Sequence, residues 1–293
     1  MKKVWLLPIL HVFFACLAFF SGYIIVVSKN LADPLLPYIS DGGAFPPESA
    51  IFGEFLNIAA FLMAIVSYIR YQQLEVFYDS NKINNTFTKF NTALLFTGWL
   101  SSLGMSVVAN FQEFSVPSMH AFGALLSFVG GLTYLGGQII LTAFKKPKLV
   151  PNWMFLLRTI LTAISIIALI FHLITQFTFA FVKKNNDGSY PEWSGVTGIE
   201  RYPTSSPFYL RHLITTIAEW VLVMSLEIHF LSFSYEMRDF EAKLIAVEYI
   251  GEVIDGGDRF DVRTNKIIRR RSEILNTGTI SSLRVLDNFS FEK

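Results

Sequence analysis

Residues 153 to 182 read WMFLLRTILTAISIIALIFHLITQFTFAFV, and Arg158 is the only side chain among them that is charged at neutral pH. A strand of that length would be far too long for a globular sheet. A helix, rising about 1.5 Å per residue, would run roughly 45 Å and outlast the roughly 30 Å of hydrocarbon in a bilayer. The stretch reads as a tilted transmembrane helix.

The remainder of the chain agrees. Of 293 residues, 52% are hydrophobic and 16% charged, and mean hydropathy is +0.45. A soluble domain carries roughly a quarter charged residues. Runs nearly free of ionisable groups recur at about 5–27, 51–71, 92–111, 118–144, 153–182 and 213–235. The expected fold is all-α: a polytopic membrane protein with six transmembrane helices over residues 1–235. A tail, 236–293, follows, helical at first through about Ile254, broken at Asp255-Gly256-Gly257-Asp258 and then largely disordered. A cleaved signal peptide is the alternative for the first run, but the apolar stretch continues to Val27, past the roughly 7 to 15 residues of a signal core.

Orientation follows from the basic residues. With the N-terminus in the cytosol, Lys2, Lys3, Arg70, Lys82, Lys89, Lys145, Lys146 and Lys148 flank the cytosolic side, against Lys29, Lys183, Lys184, Arg201 and Arg211 opposite. The bias favours both termini in the cytosol. The sequons at Asn84 and Asn288 then face the cytosol and are expected to stay unglycosylated. The lone cysteine, Cys16, falls mid-span, which excludes an intrachain disulfide and a CxxC site and reads as a buried inert thiol.

Charges inside the spans sort by depth. Asp41, Glu48, Glu54, His120 and Glu219 fall toward the luminal side as candidate contact residues, with His172 somewhat deeper. His11, Arg158, Glu227 and His229 fall toward the cytosolic side, where Arg158 and Glu227 have the right depth to pair. Each group fixes helix register through a partner, or, for His120 and His172, changes charge as the lumen acidifies. Arg158 could instead snorkel to the headgroups. A proton-coupled transporter would need polar groups joining the two layers, and the sequence offers few. In the first loop, Ser40-Asp41-Gly42-Gly43 is a turn cluster and Pro46-Pro47-Glu48 a helix start. Glu54 and Asn57, at or below the interface, need neighbours.

Other patterns concern packing and addressing. Gly123, Ser127 and Gly131 recur every four residues on the fourth span, which lets two backbones approach closely. The fifth loop, KKNNDGSYPEWSGVTGIERYPTSSP, is polar and turn-rich, and is placed to cover the first loop. The tail carries RTNKIIRRRSEIL, a basic cluster for an anionic leaflet or a solvated segment, and Arg269-Arg270-Arg271-Ser272 resembles a basophilic kinase site. Tyr71-Gln72-Gln73-Leu74 fits a short sorting pattern. No P-loop, dinucleotide fingerprint, HExxH or nucleophile elbow occurs, so no enzyme, cofactor or metal is expected from motifs, nor a nucleic-acid partner.

Three stretches carry a resemblance. PLLPYISDGGAFPPESAIFGEFLNIAAFLMAIVSYIRY (34–71), VANFQEFSVPSMHAFGALLSF (108–128) and AEWVLVMSLEIHFLSFSYEMRDF (218–240) are similar to the first luminal loop with second helix, the third-to-fourth helix link and the last helix of the damage-regulated autophagy modulator (DRAM) family. Gly42-Gly43 departs from that family's Thr-Gly, and the tail looks longer than usual. The resemblance implies a six-helix lysosomal or endosomal protein, or alternatively one of the plasma membrane. It implies promotion of autophagy through lipid or protein contacts, with no catalytic residues to carry over. Relatives in the wider superfamily that act on lipid anchors and lipid organisation keep a bound or remodelled lipid open as the alternative.

Overall fold

A computed structural model describes residues 3–80, 86–143, 149–193, 198–199, 201–241 and three short strands at 252–255, 258–261 and 266–268. They belong to two units, Met1–Ala242 and Lys243–Lys293.

The first unit is helical. Its long helices are α1 (Leu6–Ser28), α2 (Glu48–Ser80), α3 (Thr86–Asn110), α4 (Pro117–Ala143), α5 (Asn152–Phe177) and α6 (Tyr209–Leu231), the last extended by a short α7 (Phe233–Glu236) and a 3-10 turn to Asp239. Six membrane-spanning segments result. Local chemistry sets their starts. Pro117 opens α4 with its fixed φ, Pro151 stands extended before α5, and Glu48 sits in the first turn of α2, where its charge meets unpaired N–H groups. The expected fifth span to Val182 is shorter than expected: Thr178 is extended, its hydroxyl donates to the Ile174 carbonyl at 2.6 Å, and the chain turns at Phe181, φ 63°. The second span is longer, because the helix runs on past Tyr71 to Ser80.

Consecutive helices pack as antiparallel neighbours, and α6 closes the bundle against α1 and α4. The first loop, the α3–α4 link and the α5–α6 loop therefore share one side, called here the cap side; the end of α7 lies on the other, the tail side. The packing inverts the soluble pattern. On α5, Ile160, Ile164, Ile167 and Ile174 point outward, while Met154, Arg158, Leu161, Ser165 and Ala168 are buried. Lipid is as apolar as leucine, so a long outward isoleucine row costs nothing and the inner face can hold small and polar groups.

Small residues decide two close approaches. On the α3–α4 seam, a Cβ at Gly104 would meet the Gly123 carbonyl oxygen at 2.7 Å, so the small-residue stripe serves packing inside the bundle. A Cβ at Gly22 would stand 2.7 Å from Gly42 Cα, so the first loop lies directly on α1. Behind that contact, Ala15, Ala18, Phe19, Phe52, Leu56, Ala59, Met105 and Trp220 form the core.

The second unit holds an antiparallel meander, β1 (Glu252–Asp255), β2 (Asp258–Asp261) and β3 (Lys266–Ile268). Val253 pairs with Phe260, which pairs with Ile267 in the next strand. The expected helix through Ile254 is thus corrected to a strand at its last positions; residues 242–251 lie outside the described set, as do the basic run Arg269 to Arg271 and both sequon asparagines.

Candidate functional site: two polar layers and a cavity between them

On the cap side, the first loop is fastened by its own Asp41 and by side chains from α5, α6 and the loop between them. Asp41 Oδ2 accepts the Tyr38 amide proton at 3.0 Å and closes the 3-10 turn. Trp220 Nε1 donates to the Pro37 carbonyl at 2.8 Å, and Glu219 Oε2 accepts from the Ile39 amide at 3.3 Å. The Tyr38 hydroxyl donates to Gln176 Oε1 at 3.3 Å, and Arg201 Nη1 to the Asn30 carbonyl at 3.1 Å, so the α5–α6 loop does reach the first loop. Partial burial, reinforced by the Glu219 carboxylate, holds the Tyr38 hydroxyl well above the ordinary tyrosine range.

The candidates expected on the luminal side divide. Asp41, Glu48 and Glu219 are buried, and His120 nearly so. Glu48 is held by Lys29 at 2.9 Å, and His120 Nδ1 lies 2.8 Å from the Phe111 carbonyl, tying the start of α4 to the end of α3. Glu54 departs from the expected layer: it is exposed on the outer face of α2. Asn57 does find neighbours, accepting from Ser106 Oγ at 2.7 Å and donating to Asn110 Oδ1 at 3.2 Å. His172 lies edge-on to Phe128 with Nδ1 3.4 Å from the Thr215 carbonyl.

The other candidates form two separate groups rather than one layer. His11 sits between the Ala59 carbonyl, 2.8 Å from Nδ1, and Glu227 Oε2, 3.1 Å from Nε2. Both ring nitrogens thus face oxygen acceptors, so imidazole and carboxylate share one proton and the pair carries no net charge. His229 Nδ1 lies 3.2 Å from Thr162 Oγ1. Arg158 does not pair with Glu227 and does not snorkel. It is buried, with Nε donating to Ser232 Oγ at 2.7 Å and Nη2 to Glu236 Oε2 at 2.8 Å.

Glu236 has a second arginine, which sequence reasoning took only as a flanking charge. Arg70 Nη1 lies 2.9 Å from Glu236 Oε1 and donates to Gln73 Oε1 at 2.6 Å, while Nε donates to Gln138 Oε1 at 3.0 Å. Both guanidinium carbons stand 5.0 Å from the Phe233 ring centroid. The cluster therefore holds two cations, one anion and one aromatic ring; the quadrupole of Phe233 and the amide oxygens of Gln73 and Gln138 offset part of the excess charge. A signal existed: Gln138 is an isolated amide within an otherwise apolar span, and Arg70 and Gln73 stand one turn apart.

Between these groups lies a cavity of about 80 Å³, partly open to its surroundings. Ser40, His120 and Glu219 line its cap end, Glu227 lines the other, and Phe19, Phe52, Leu56, Met105 and Phe128 form its walls. Glu219 and Glu227 are eight residues apart on α6, about 12 Å along the axis. The walls are apolar, so they supply no chain of proton carriers. Cys16 is half-buried rather than fully enclosed as expected. No cluster of metal-ligating side chains occurs among the described residues.

Residues 3–240 match the family model of the Frag1/DRAM/Sfk1/Cwh43P N-terminal domain. This is a six-span membrane protein, and it belongs to the Frag1/DRAM/Sfk1/Cwh43 family. DNA damage-regulated autophagy modulator protein 2 of Bos taurus is 34% identical over 244 residues, 83% of this chain and 86% of that protein. DNA damage-regulated autophagy modulator protein 1 of Homo sapiens is 33% identical over 248 residues, 82% of this chain and 92% of its own length. Modulator of macroautophagy TMEM150B of Danio rerio is 34% identical over 158 residues, 53% of this chain and 65% of that one. No solved structure matches.

Proposed function

We propose that this protein modulates autophagy from a lysosomal or endosomal membrane, with both termini in the cytosol, by lodging part of a membrane lipid's chain in the cavity of its bundle and presenting the fastened first loop to the lumen. The relatives, named as autophagy modulators, support the process. The cavity carries the mechanism, since its apolar walls suit a short stretch of one lipid chain, about 80 Å³ being too little for a whole lipid. The test is mass spectrometry of lipid retained by the full-length protein purified in native nanodiscs. Wild type is expected to keep a lipid that Ala124→Leu, which fills the cavity wall, loses; identical lipid content in both would reject the reading. The same cavity joins the Glu219 carboxyl and the His120 imidazole, an acid and a base, which favours lipid remodelling as the second reading. Turnover of a labelled lipid by the nanodiscs separates the two.

A further inference from the structure

A second cavity, of about 240 Å³ and partly open, lies on the cap side and shares no lining residue with the first. Its walls come from the first loop, the α3–α4 link, the α5–α6 loop, the adjoining ends of α4 and α5 and the first two turns of α6. It therefore sits in the cap of the bundle, with the exposed Pro117, Gln176 and Trp193 at its rim. Two opposite charges face it without meeting. Glu113 makes no hydrogen bond or ion pair among the described residues, and its Oε2 is enclosed. Arg211 donates from Nε to the Thr175 carbonyl at 2.6 Å and from Nη2 to the Gln176 carbonyl at 3.0 Å, and its guanidinium carbon stands 5.7 Å from the Trp193 ring centroid. These contacts fix the arginine at the end of α5 and leave Nη1 uncommitted. Asp41 adds a second acid to the wall, with Oδ2 on the Tyr38 amide. The rest is largely aromatic: Phe114, Tyr202 and Phe208 line the cavity, and His212 packs with its ring centroid 5.2 Å from Tyr38 and 5.0 Å from Tyr202.

We propose that this cap-side cavity binds a small zwitterion of the α-amino-acid class with an aromatic or large apolar side chain. The ammonium goes to Glu113, the carboxylate to Arg211 Nη1, and the side chain lies against Phe114, Tyr202 and Phe208. An ammonium supplies the donors that the enclosed Glu113 oxygen lacks, and a guanidinium whose other N–H groups are already held is preorganised for a carboxylate. A ligand carrying only an amine would have Arg211 beside it with no anion to offer. One carrying only an acid would face Glu113 and Asp41 with no cation. The zwitterion answers both signs. Size agrees, because about 240 Å³ falls below the roughly 300 Å³ at which drug-sized pockets begin and suits one amino acid rather than a peptide. The inference is independent of the lipid reading of the first cavity.

The experiment uses full-length protein in phosphatidylcholine nanodiscs and tritiated phenylalanine, read by scintillation proximity. The competitors are unlabelled phenylalanine, phenethylamine, which lacks the carboxylate, and 3-phenylpropionate, which lacks the ammonium. Phenylalanine is expected to compete at a concentration at least about tenfold lower than either analogue, the margin of one charge-assisted hydrogen bond. Glu113→Gln changes a side chain that holds nothing else in place, so its melting profile should match wild type. It should weaken phenylalanine about tenfold and strengthen 3-phenylpropionate, whereas a merely structural role would weaken both. Equal competition by the three compounds, or a Glu113→Gln variant that binds all three as wild type does, would overturn the zwitterion assignment. Absence of displaceable phenylalanine on protein with an intact melting profile would overturn the site itself.

Discussion

Glu236 and Arg158, 78 positions apart in the chain, meet at 2.8 Å in the tail-side core, and the same carboxylate reaches Arg70 through its other oxygen at 2.9 Å. One anion thus holds two buried cations. Removing it is expected to be far worse than removing either partner. Glu236→Gln leaves two guanidiniums uncompensated and should cost about 3–5 kcal/mol. Arg158→Met leaves a neutral Arg70–Glu236 pair and should cost clearly less. Thermal unfolding of purified protein, read by intrinsic fluorescence, checks the order: equal melting temperatures for the two variants would contradict it.

The contact of Gly22 with Gly42 makes a second expectation. Alanine at either position places its methyl carbon within van der Waals overlap of the other backbone. Overpacking of that kind costs about 1–3 kcal/mol, and here it should lift the first loop from α1. Gly42→Ala is expected to speed amide exchange across residues 38–44 while leaving α3 and α4 unchanged, as hydrogen exchange mass spectrometry would show.

Trp220 fastens the same loop through its indole N–H. Trp220→Phe keeps the ring packed on Phe20 and Tyr23 and removes the bond to the Pro37 carbonyl. A loss of about 1 kcal/mol is expected, with faster proteolysis of the loop from its own side of the membrane.

Tyr38 sets an alkaline limit. Its folded-state pKa is raised, so the folded chain keeps the phenol proton where an unfolded chain, ionising near about pH 10, has lost it. The stability it supplies is therefore complete below about pH 10 and disappears as pH climbs through the folded value. Phenolate absorbance of wild type minus Tyr38→Phe should show late ionisation, and Glu219→Gln should bring it earlier.

Asp187 behaves oppositely. Hydrogen bonds from the Ser189 hydroxyl, 2.6 Å, and amide, 2.9 Å, hold its carboxyl below the usual range. Its contribution to the turn persists above the unfolded value, near about 3.9, and is lost as pH falls through the folded one, so the turn should persist at pH ~5. The amide shift of Ser189 followed by NMR would report the titration, and a midpoint above pH ~5 would contradict it.

Depth was readable from the sequence, and azimuth was not. A rise of about 1.5 Å per residue places His11 and Glu227 at matching heights, and they do meet. The same arithmetic paired Arg158 with Glu227, but an arginine reaches along the helix axis, and the neighbour it finds is fixed by how α5 and α7 are rotated. Glu54 has the right height and the wrong face. Arg70 counts as a boundary charge in any hydropathy plot, yet α2 continues past it and Gln138 on α4 receives it. The tail shows a different miss: Glu252-Val253-Ile254-Asp255, two glycines and Asp258-Arg259-Phe260-Asp261 form a hairpin signature that the expectation of a continuing helix through Ile254 obscured. The close Gly22–Gly42 approach leaves no periodic trace, because its two halves lie in different elements.

One feature of α2 reaches beyond the bundle. Its 33 residues amount to about 50 Å, and a hydrocarbon slab of about 30 Å, crossed even at a tilt of ~40°, uses no more than about 39 Å of that. The surplus of about 10 Å must lie outside the hydrocarbon, and at the tail-side end Tyr78 is buried with its hydroxyl 3.3 Å from the Leu141 carbonyl, so α4 braces the emerging turns and their height is set by backbone geometry rather than by loop motion.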